Sequence, residues 1–424
     1  MEKGEKKGVL RKELGLLGIF CIASGAMISS GLFILPGIAY AKTGPAILIS
    51  YAIASLLVIP AMLSKAELST AMPKAGGAYF FIDRSMGPLM GTIGGFAAWF
   101  SLAFKSAFAL VGIGVFAILL NPGFSELQMK LIAVFFCVIF TIVNLHGVKH
   151  SGKTQIILVI GLLSILIFYI IVGFFFIKPD NFENFAPYGF SSIFSSAGLI
   201  FISFGGLTKI CSVAEECKNP GRTIPLGMFF SWLVISIIYL LIIFVTIGVA
   251  NPFDLKNTLT PITLGANSIP ILGGIGGSIM AVAAILSFIT TANAGLLAAS
   301  RNPMAMGKDQ LLPGSFARIS KQGTPTVSIL FTSCFMILVI LFLDLESLVK
   351  TASLLKILLF LFVMFSLIIM RESKLRHYRP KFKSPYYPWI QIAGMAGLIF
   401  LIFEMGLIPM MLVGCFILFG FIWY

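Results

Sequence analysis

The chain has 424 residues, with 30 Lys and Arg against 16 Asp and Glu, a formal net charge of +14; yet only 11% of it is charged and 58% is hydrophobic, 41 residues being Phe. A soluble domain is about 25% charged and 45–50% apolar, so this composition excludes a large aqueous enzyme and, despite the basic balance, a nucleic-acid binder. A mean hydropathy of +1.02 leaves the bilayer as solvent, with room for about a dozen crossings of roughly 20 residues each.

The basic start, MEKGEKKGVLRKE, reads as a cytoplasmic tail over 1–13, and the full-length apolar stretch after it as a retained first span rather than a cleaved signal. Apolar runs then fall at roughly 14–39, 45–70, 88–118, 127–146, 154–177 and 191–214. Six more follow at roughly 225–250, 271–300, 325–343, 347–370, 388–404 and 407–424. The reading is an all-α integral membrane protein with twelve transmembrane helices. Of the 30 basic residues, 22 lie in the N-terminal tail and every second connection, and 5 (Lys42, Lys130, Lys178, Lys256, Lys350) on the other side. That asymmetry puts both termini in the cytoplasm of a multi-pass protein of the cell membrane.

The six cysteines form no CxxC pair and the three histidines (His146, His150, His377) sit in or beside basic loops, so no metal-ligand spacing is visible. No phosphate-binding loop is present to drive a pump. No cofactor is expected. The three basic residues outside the loops are more informative: Lys105, Lys209 and Lys356 lie inside apolar runs. An ionisable group at bilayer depth is a functional candidate unless it snorkels to the interface. Snorkelling is easiest for Lys209 and Lys356 and hardest for Lys105, near the middle of the third span.

Two spans carry small and hydroxylic residues at mid-length. The first contains Ser24-Gly25-Ala26-Met27-Ile28-Ser29-Ser30-Gly31, and the sixth Phe201-Ile202-Ser203-Phe204-Gly205-Gly206-Leu207-Thr208. One such run is explained by close helix packing. Two, five spans apart, fit an inverted repeat whose helices break at the bilayer midplane. A break frees N–H and C=O groups that lipid cannot satisfy, so a ligand or cavity water must. The N-terminus of the following half-helix attracts a carboxylate, and carbonyls attract an ammonium. Together two breaks hold both ends of a zwitterion.

At these residues the chain resembles the amino acid–polyamine–organocation permeases. The resemblance rests on GAMISSGLFILPG, on FISFGGLTKICSVAEECKNPGRTIP and on AASRNPMAMGKDQLLPGSFARISKQGTPT, with GAYFFIDRSMGP after the second span also familial. It covers essentially the whole chain and implies a five-plus-five inverted repeat over 14–177 and 191–370. A basic loop and helices 11 and 12 then occupy 371–424. The resemblance also implies a substrate held midway between spans one, three, six and eight, and alternating access. Ser30 and Gly31 would meet a substrate carboxylate, and the carbonyls of Met27, Ile202 and Gly205 its amino group. Phe201 and Phe204 would gate the pocket, plain core packing being the other reading. Ser101 and Lys105 would line its wall. Glu215, Glu216 and Arg222 match a loop whose ion pairs bias the inward gate, or a merely solvated loop. Two departures stand out: Ser29 replaces the family's usual Gly, and the lysine that several relatives carry in span five is absent, with Gly161 near its place. Thr290 and Thr291 are candidate hydroxyls for sodium, with ordinary interhelix packing the other reading.

The expected function is a secondary active transporter of amino acids or related organic zwitterions, proton-coupled or an exchanger, and not an enzyme. Lys105 is either a discriminator of substrate charge or the proton-coupling group. As a pocket cation it favours neutral or acidic substrates over cationic ones. The alternatives are an inorganic cation or chloride cotransporter of the same architecture and an amino-acid sensor that binds without transport. A channel would need a continuous polar stripe, which the isolated polar spots here do not supply.

Overall fold

The computed structural model describes residues 14–424 except 74–76, 120–122, 148–151, 213, 215–216, 321–322 and 375–377. The described residues form α-helices and short 3₁₀ turns, with a lone β-bridge between Leu14 and Cys217. The first apolar run is three helices, α1 (Leu16–Met27), α2 (Ser30–Phe33) and α3 (Leu35–Thr43), followed by α4 (Ile47–Ala71), α5 (Gly77–Met86) and α6 (Pro88–Phe116). Then come α7 (Glu126–Leu145), α8 (Gly152–Phe174), α9 (Gly189–Ile200) and α10 (Thr208–Ser212), the last two joined by a 3₁₀ turn over Phe201–Leu207. The remainder is α11 (Pro220–Val249), α12 (Pro252–Lys256), α13 (Pro261–Asn267), α14 (Gly273–Lys308), α15 (Thr326–Phe342), α16 (Leu345–Glu372), α17 (Trp389–Glu404) and α18 (Leu407–Trp423).

Every one of the twelve apolar runs is helical. Among the described residues, by length and hydropathy 8 helices reach membrane-crossing dimensions, or 9 if α17 and α18, which meet at a 117° bend, count as one span. The helices α1 and α15 are apolar but shorter. Polar residues at the ends explain several boundaries. Ser125 and Gln128 form a reciprocal capping box at the start of α7, and Asp344 accepts the Ser347 amide at the start of α16. The helix α14 runs past Pro303, whose missing N–H frees the Ala299 carbonyl; the Asn302 side-chain amide reaches that oxygen at 3.5 Å.

Around the centre, α6 packs on α14 and α16, and α1 on α11 and on the 3₁₀ turn after α9. Polar cross-links hold buried helices in register: Asn144 of α7 donates to Asn293 of α14 at 2.6 Å, and the Trp99 indole to Thr332 of α15 at 3.0 Å. The largest difference from the sequence reading concerns Lys65. Counted there with the loop cations, it sits inside α4, 1% exposed, its ammonium 3.7 Å from the centre of the Phe360 ring. The helix continues to Ala71, so Lys65 is enclosed by neighbours before the chain reaches solvent.

Candidate functional site

The first break follows from main-chain geometry. Ile28 and Ser29 leave the helical region, so α1 stops at Met27 and α2 restarts at Ser30. The amides of Leu32 and Phe33 return to the Ser29 carbonyl, while those of Ser30 and Gly31, in the first turn, have no acceptor within their helix. The hydroxyls of Ser24, Ser29 and Ser30 are buried and without a hydrogen-bond partner, as is that of Ser101 one turn before Lys105 on α6. Buried polar groups are normally paired, so this concentration of unspent donors is unusual.

In the second break the chain tightens into a 3₁₀ turn over Phe201–Leu207. Ser353 of α16 stitches it, accepting from the Ile202 amide at 3.2 Å and donating to the Leu199 carbonyl at 2.6 Å. The two breaks press on each other. A Cβ on Gly206 would lie 2.6 Å from the Met27 nitrogen and 2.7 Å from the Ala23 oxygen, and Gly31 packs directly on Ser203. Glycine is required at 206 because main chain meets main chain.

Lys105 ties the breaks together. Its ammonium donates to the Ala26 carbonyl at 2.9 Å and the Ile202 carbonyl at 3.3 Å. The Tyr239 hydroxyl donates to the Met27 carbonyl at 2.8 Å, and the Tyr51 hydroxyl to the Gly31 carbonyl, also at 2.8 Å. Met27, Ser29, Ser30, Gly31, Lys105, Ile202 and Gly205 therefore do converge. The Met27 and Ile202 carbonyls, assigned from the resemblance to a substrate amino group, already accept from the protein's own donors.

The aromatic candidates are packed in the core. Phe201 is fully buried with its ring 5.3 Å from Phe360, and Phe204 likewise 5.7 Å from Tyr239. On the other side of the first break, Phe33 meets Phe116 and Phe288 edge-on, a cluster that residue type alone did not single out. Arg222 is exposed in a groove beside Phe229 and Phe382. Glu215 and Glu216 lie outside the described residues. Thr290 lines a cavity of about 170 Å³ with Gly25 of α1 and Gly161 of α8, while Thr291, buried, does not line it. Gly161, near the place the resemblance expects for the span-five lysine, thus borders a space between α1, α8 and α14. Among the described residues no group of His, Cys, Asp and Glu is placed to hold a metal ion.

Sequence reasoning named Lys356 as a candidate but left it off the site because snorkelling was the easier reading; the structure encloses it instead. Its ammonium is 0% exposed and has no hydrogen-bond partner. Tyr51 and Tyr239 gave no signal at all.

Each end of the molecule carries an ion pair. At the end opposite the basic loops, Glu346 of α16 takes both Lys42 of α3 and, at 2.6 Å, Lys350. These side chains are 35–39% exposed, so solvent screens them. Glu346→Ala is expected to change unfolding free energy by only about 0.2–1 kcal/mol and to open access to the Phe33 cluster, read as faster labelling of a cysteine introduced at Phe33. At the basic end, Glu67 of α4 is fully buried and receives Arg371 Nε at 2.8 Å, Arg371 Nη2 at 2.5 Å, the Tyr378 hydroxyl at 3.0 Å and the Ser384 amide at 2.6 Å. Burial and the Glu67 carboxylate hold the Tyr378 phenol well above its ordinary range.

The family model described as amino acid permease matches residues 14–421. The branched-chain amino acid permease BcaP of Bacillus subtilis is 29% identical over 425 residues, 95% of this chain and 90% of its own. The methylthioribose transporter of the same organism is 27% identical, over 90% of this chain and 84% of its own. Cationic amino acid transporter 4 of Mus musculus is 30% identical over 88% of this chain and 62% of its own.

Proposed function

Because the chain belongs to the amino acid permease family, within the amino acid–polyamine–organocation superfamily, it is a multi-pass membrane protein, and we propose that it is a secondary active transporter of an amino acid or related zwitterion, working by alternating access. The observation that carries this reading is the pair of interrupted helices in contact at the core, with buried donors at Ser29 to Gly31 and a lysine bridging both. Unsatisfied main chain at membrane depth has a use when a solute completes it.

The finer topology is twelve crossings in a five-plus-five inverted arrangement with two further helices, the basic loops and both termini cytoplasmic. It is supported by twelve helical runs, breaks five spans apart and the charge asymmetry of the connections. In this frame the Glu67–Arg371 cluster lies at the cytoplasmic end and the Glu346 latch at the outer end. Alternating access then requires the two ends to loosen in turn.

Uptake of radiolabelled amino acids into vesicles carrying the purified protein tests the reading. Saturable uptake that drains with an unlabelled competitor supports it. Single-channel current, or binding with no flux, overturns it in favour of a channel or a sensor. Transport of chloride or potassium with no response to any amino acid selects the inorganic-ion alternative.

For coupling, Lys105 is the proposed proton-exchanging group, since the span-five lysine is absent and Lys105 touches both breaks. Lys105→Ala is expected to remove the stimulation of uptake by an inward proton gradient. A substituted protein with an unchanged response to the gradient removes Lys105 from that role. Sodium stimulation lost in Thr290→Ala would instead move coupling to the cavity between α1, α8 and α14.

A further inference from the structure

From the lysines around the second break we infer that the transported solute carries net negative charge and two carboxylates. This rests on the reading of the break region as the transport site. A Cβ placed on Gly205 would lie 3.5 Å from Lys105 Nζ and 3.7 Å from Lys356 Nζ. The two ammoniums are therefore at most about 7 Å apart, both beside one glycine. Lys105 spends its protons on the Ala26 and Ile202 carbonyls. Lys356 is wholly buried and has no hydrogen-bond partner. Lys65 of α4 also lacks one and lies over the same Phe360 ring that Lys356 approaches at 6.0 Å.

Among the described residues the charged neighbours are of one sign: Lys356 and Lys209 act on Lys105, and Lys356 and the Cys211 thiol on Lys65. Among the described residues, the phenols of Tyr51 and Tyr239 also reach the first break, donating to the Gly31 and Met27 carbonyls. Among the described residues no carboxylate forms an ion pair with Lys65, Lys105, Lys209 or Lys356. Like charges concentrated in a low-dielectric core are costly unless something neutralises them.

The arrangement of donors indicates what that something is. An ordinary zwitterion needs acceptors for its ammonium, and the Met27 and Ile202 carbonyls each already accept one bond, from Tyr239 and Lys105, which leaves one lone pair apiece. The protein has supplied the positive end itself. What remains wholly unspent is donor capacity: the Ser29 and Ser30 hydroxyls at the first break and the Lys356 ammonium at the second. One carboxylate at each satisfies both, and a short chain is enough to link them because Gly31 packs on Ser203, two residues before the Gly205 that Lys356 adjoins. A cationic solute finds only repulsion there, which separates this chain from relatives named for cationic amino acids. The shared chemistry is a short dicarboxylate, either an acidic α-amino acid or a dicarboxylic acid without the amino group.

The test uses the full-length purified protein, with thermal unfolding and vesicle uptake as readouts and L-glutamate, L-aspartate, succinate, L-leucine and L-arginine as probes. The expected result is a raised unfolding midpoint and uptake with the dicarboxylates, and neither with leucine or arginine. Glutamate and aspartate acting without succinate identifies the amino acid source; the reverse identifies the simple diacid. Lys356→Met removes one charge-assisted contact and should weaken dicarboxylate affinity about ten- to hundredfold, while raising the unfolding midpoint without ligand because an unpaired buried ammonium is gone. Should Lys356→Met fail to fold, Lys356→Gln carries the same affinity test. Preference of the parent protein for leucine or arginine, or carboxylate affinity unchanged by Lys356→Met, overturns this inference while leaving the transporter reading intact. No response to any of the five probes overturns this inference alone; the transporter reading falls only if uptake of the full set of amino acids is also absent.

Discussion

Arg371→Ala is expected to lower the stability of the purified protein by about 3–5 kcal/mol, the usual consequence of leaving one member of a buried ion pair alone. Glu67 is 0% exposed, and Arg371 meets both of its oxygens. Without the guanidinium the carboxylate retains the Tyr378 hydroxyl and the Ser384 amide, two donors with no countercharge. The loss extends further, since Arg371 also donates to the Ser384 carbonyl at 3.2 Å and stacks over Tyr387 at 4.1 Å. The loop between α16 and α17 is thus pinned to α4 chiefly through one carboxylate, with the Phe382 amide donating to Thr70 at 3.2 Å beside it. The double substitution Glu67→Gln with Arg371→Met should recover at least half of the deficit, because the stranded charge is then absent and an amide oxygen still accepts from Ser384. Unfolding of the single variant within 1 kcal/mol of the parent would show that the pair is dispensable, and the contrast with the screened Glu346 latch would fail with it.

How much of this was legible in the sequence depended on the range of the interaction involved. The broken helices were readable because Gly25, Gly31, Gly205 and Gly206 interrupt apolar runs locally, and local composition decides whether a helix continues. The positions of the twelve helical runs were readable for the same reason. The partners of the buried charges were not. Glu67 and Arg371 are 304 residues apart, and Asn144 and Asn293 are 149 apart, so only tertiary packing brings them together. Lys356 and Lys65 show a subtler limit. Whether a lysine near a helix end reaches the interface or turns inward depends on helix rotation and on what covers its last turn. Lys65 was placed with the loop cations; in the fold it belongs to α4, and Phe360 lies over it. Conversely, Lys105 stood far enough from either end that its burial was expected, yet which carbonyls it would meet could not be derived from spacing alone.

Gly206→Ala is expected to abolish uptake while leaving a folded protein. The new Cβ would fall 2.6 Å from the Met27 nitrogen and 2.7 Å from the Ala26 carbonyl carbon and Ala23 oxygen. All three are main-chain atoms of α1, so no rotamer change relieves the contact and the two breaks must separate. Overpacking of this kind costs about 1–3 kcal/mol, less than the loss of Arg371. Its functional effect is larger because the Lys105 bonds to Ala26 and Ile202 span the same gap. Gly31→Ala makes the control. Its Cβ comes nearest the Ser203 Oγ and Cβ, with the Ser203 Cα at 3.0 Å, so most of that obstruction is removable: Gly31→Ala with Ser203→Gly should regain much of the uptake, whereas Gly206→Ala has no side chain opposite it to trim. If Gly206→Ala transports normally, direct contact between the breaks is not what closes the site. If Ser203→Gly fails to rescue Gly31→Ala, the Ser203 hydroxyl bond to the Gly31 carbonyl at 3.2 Å matters more than the space it occupies.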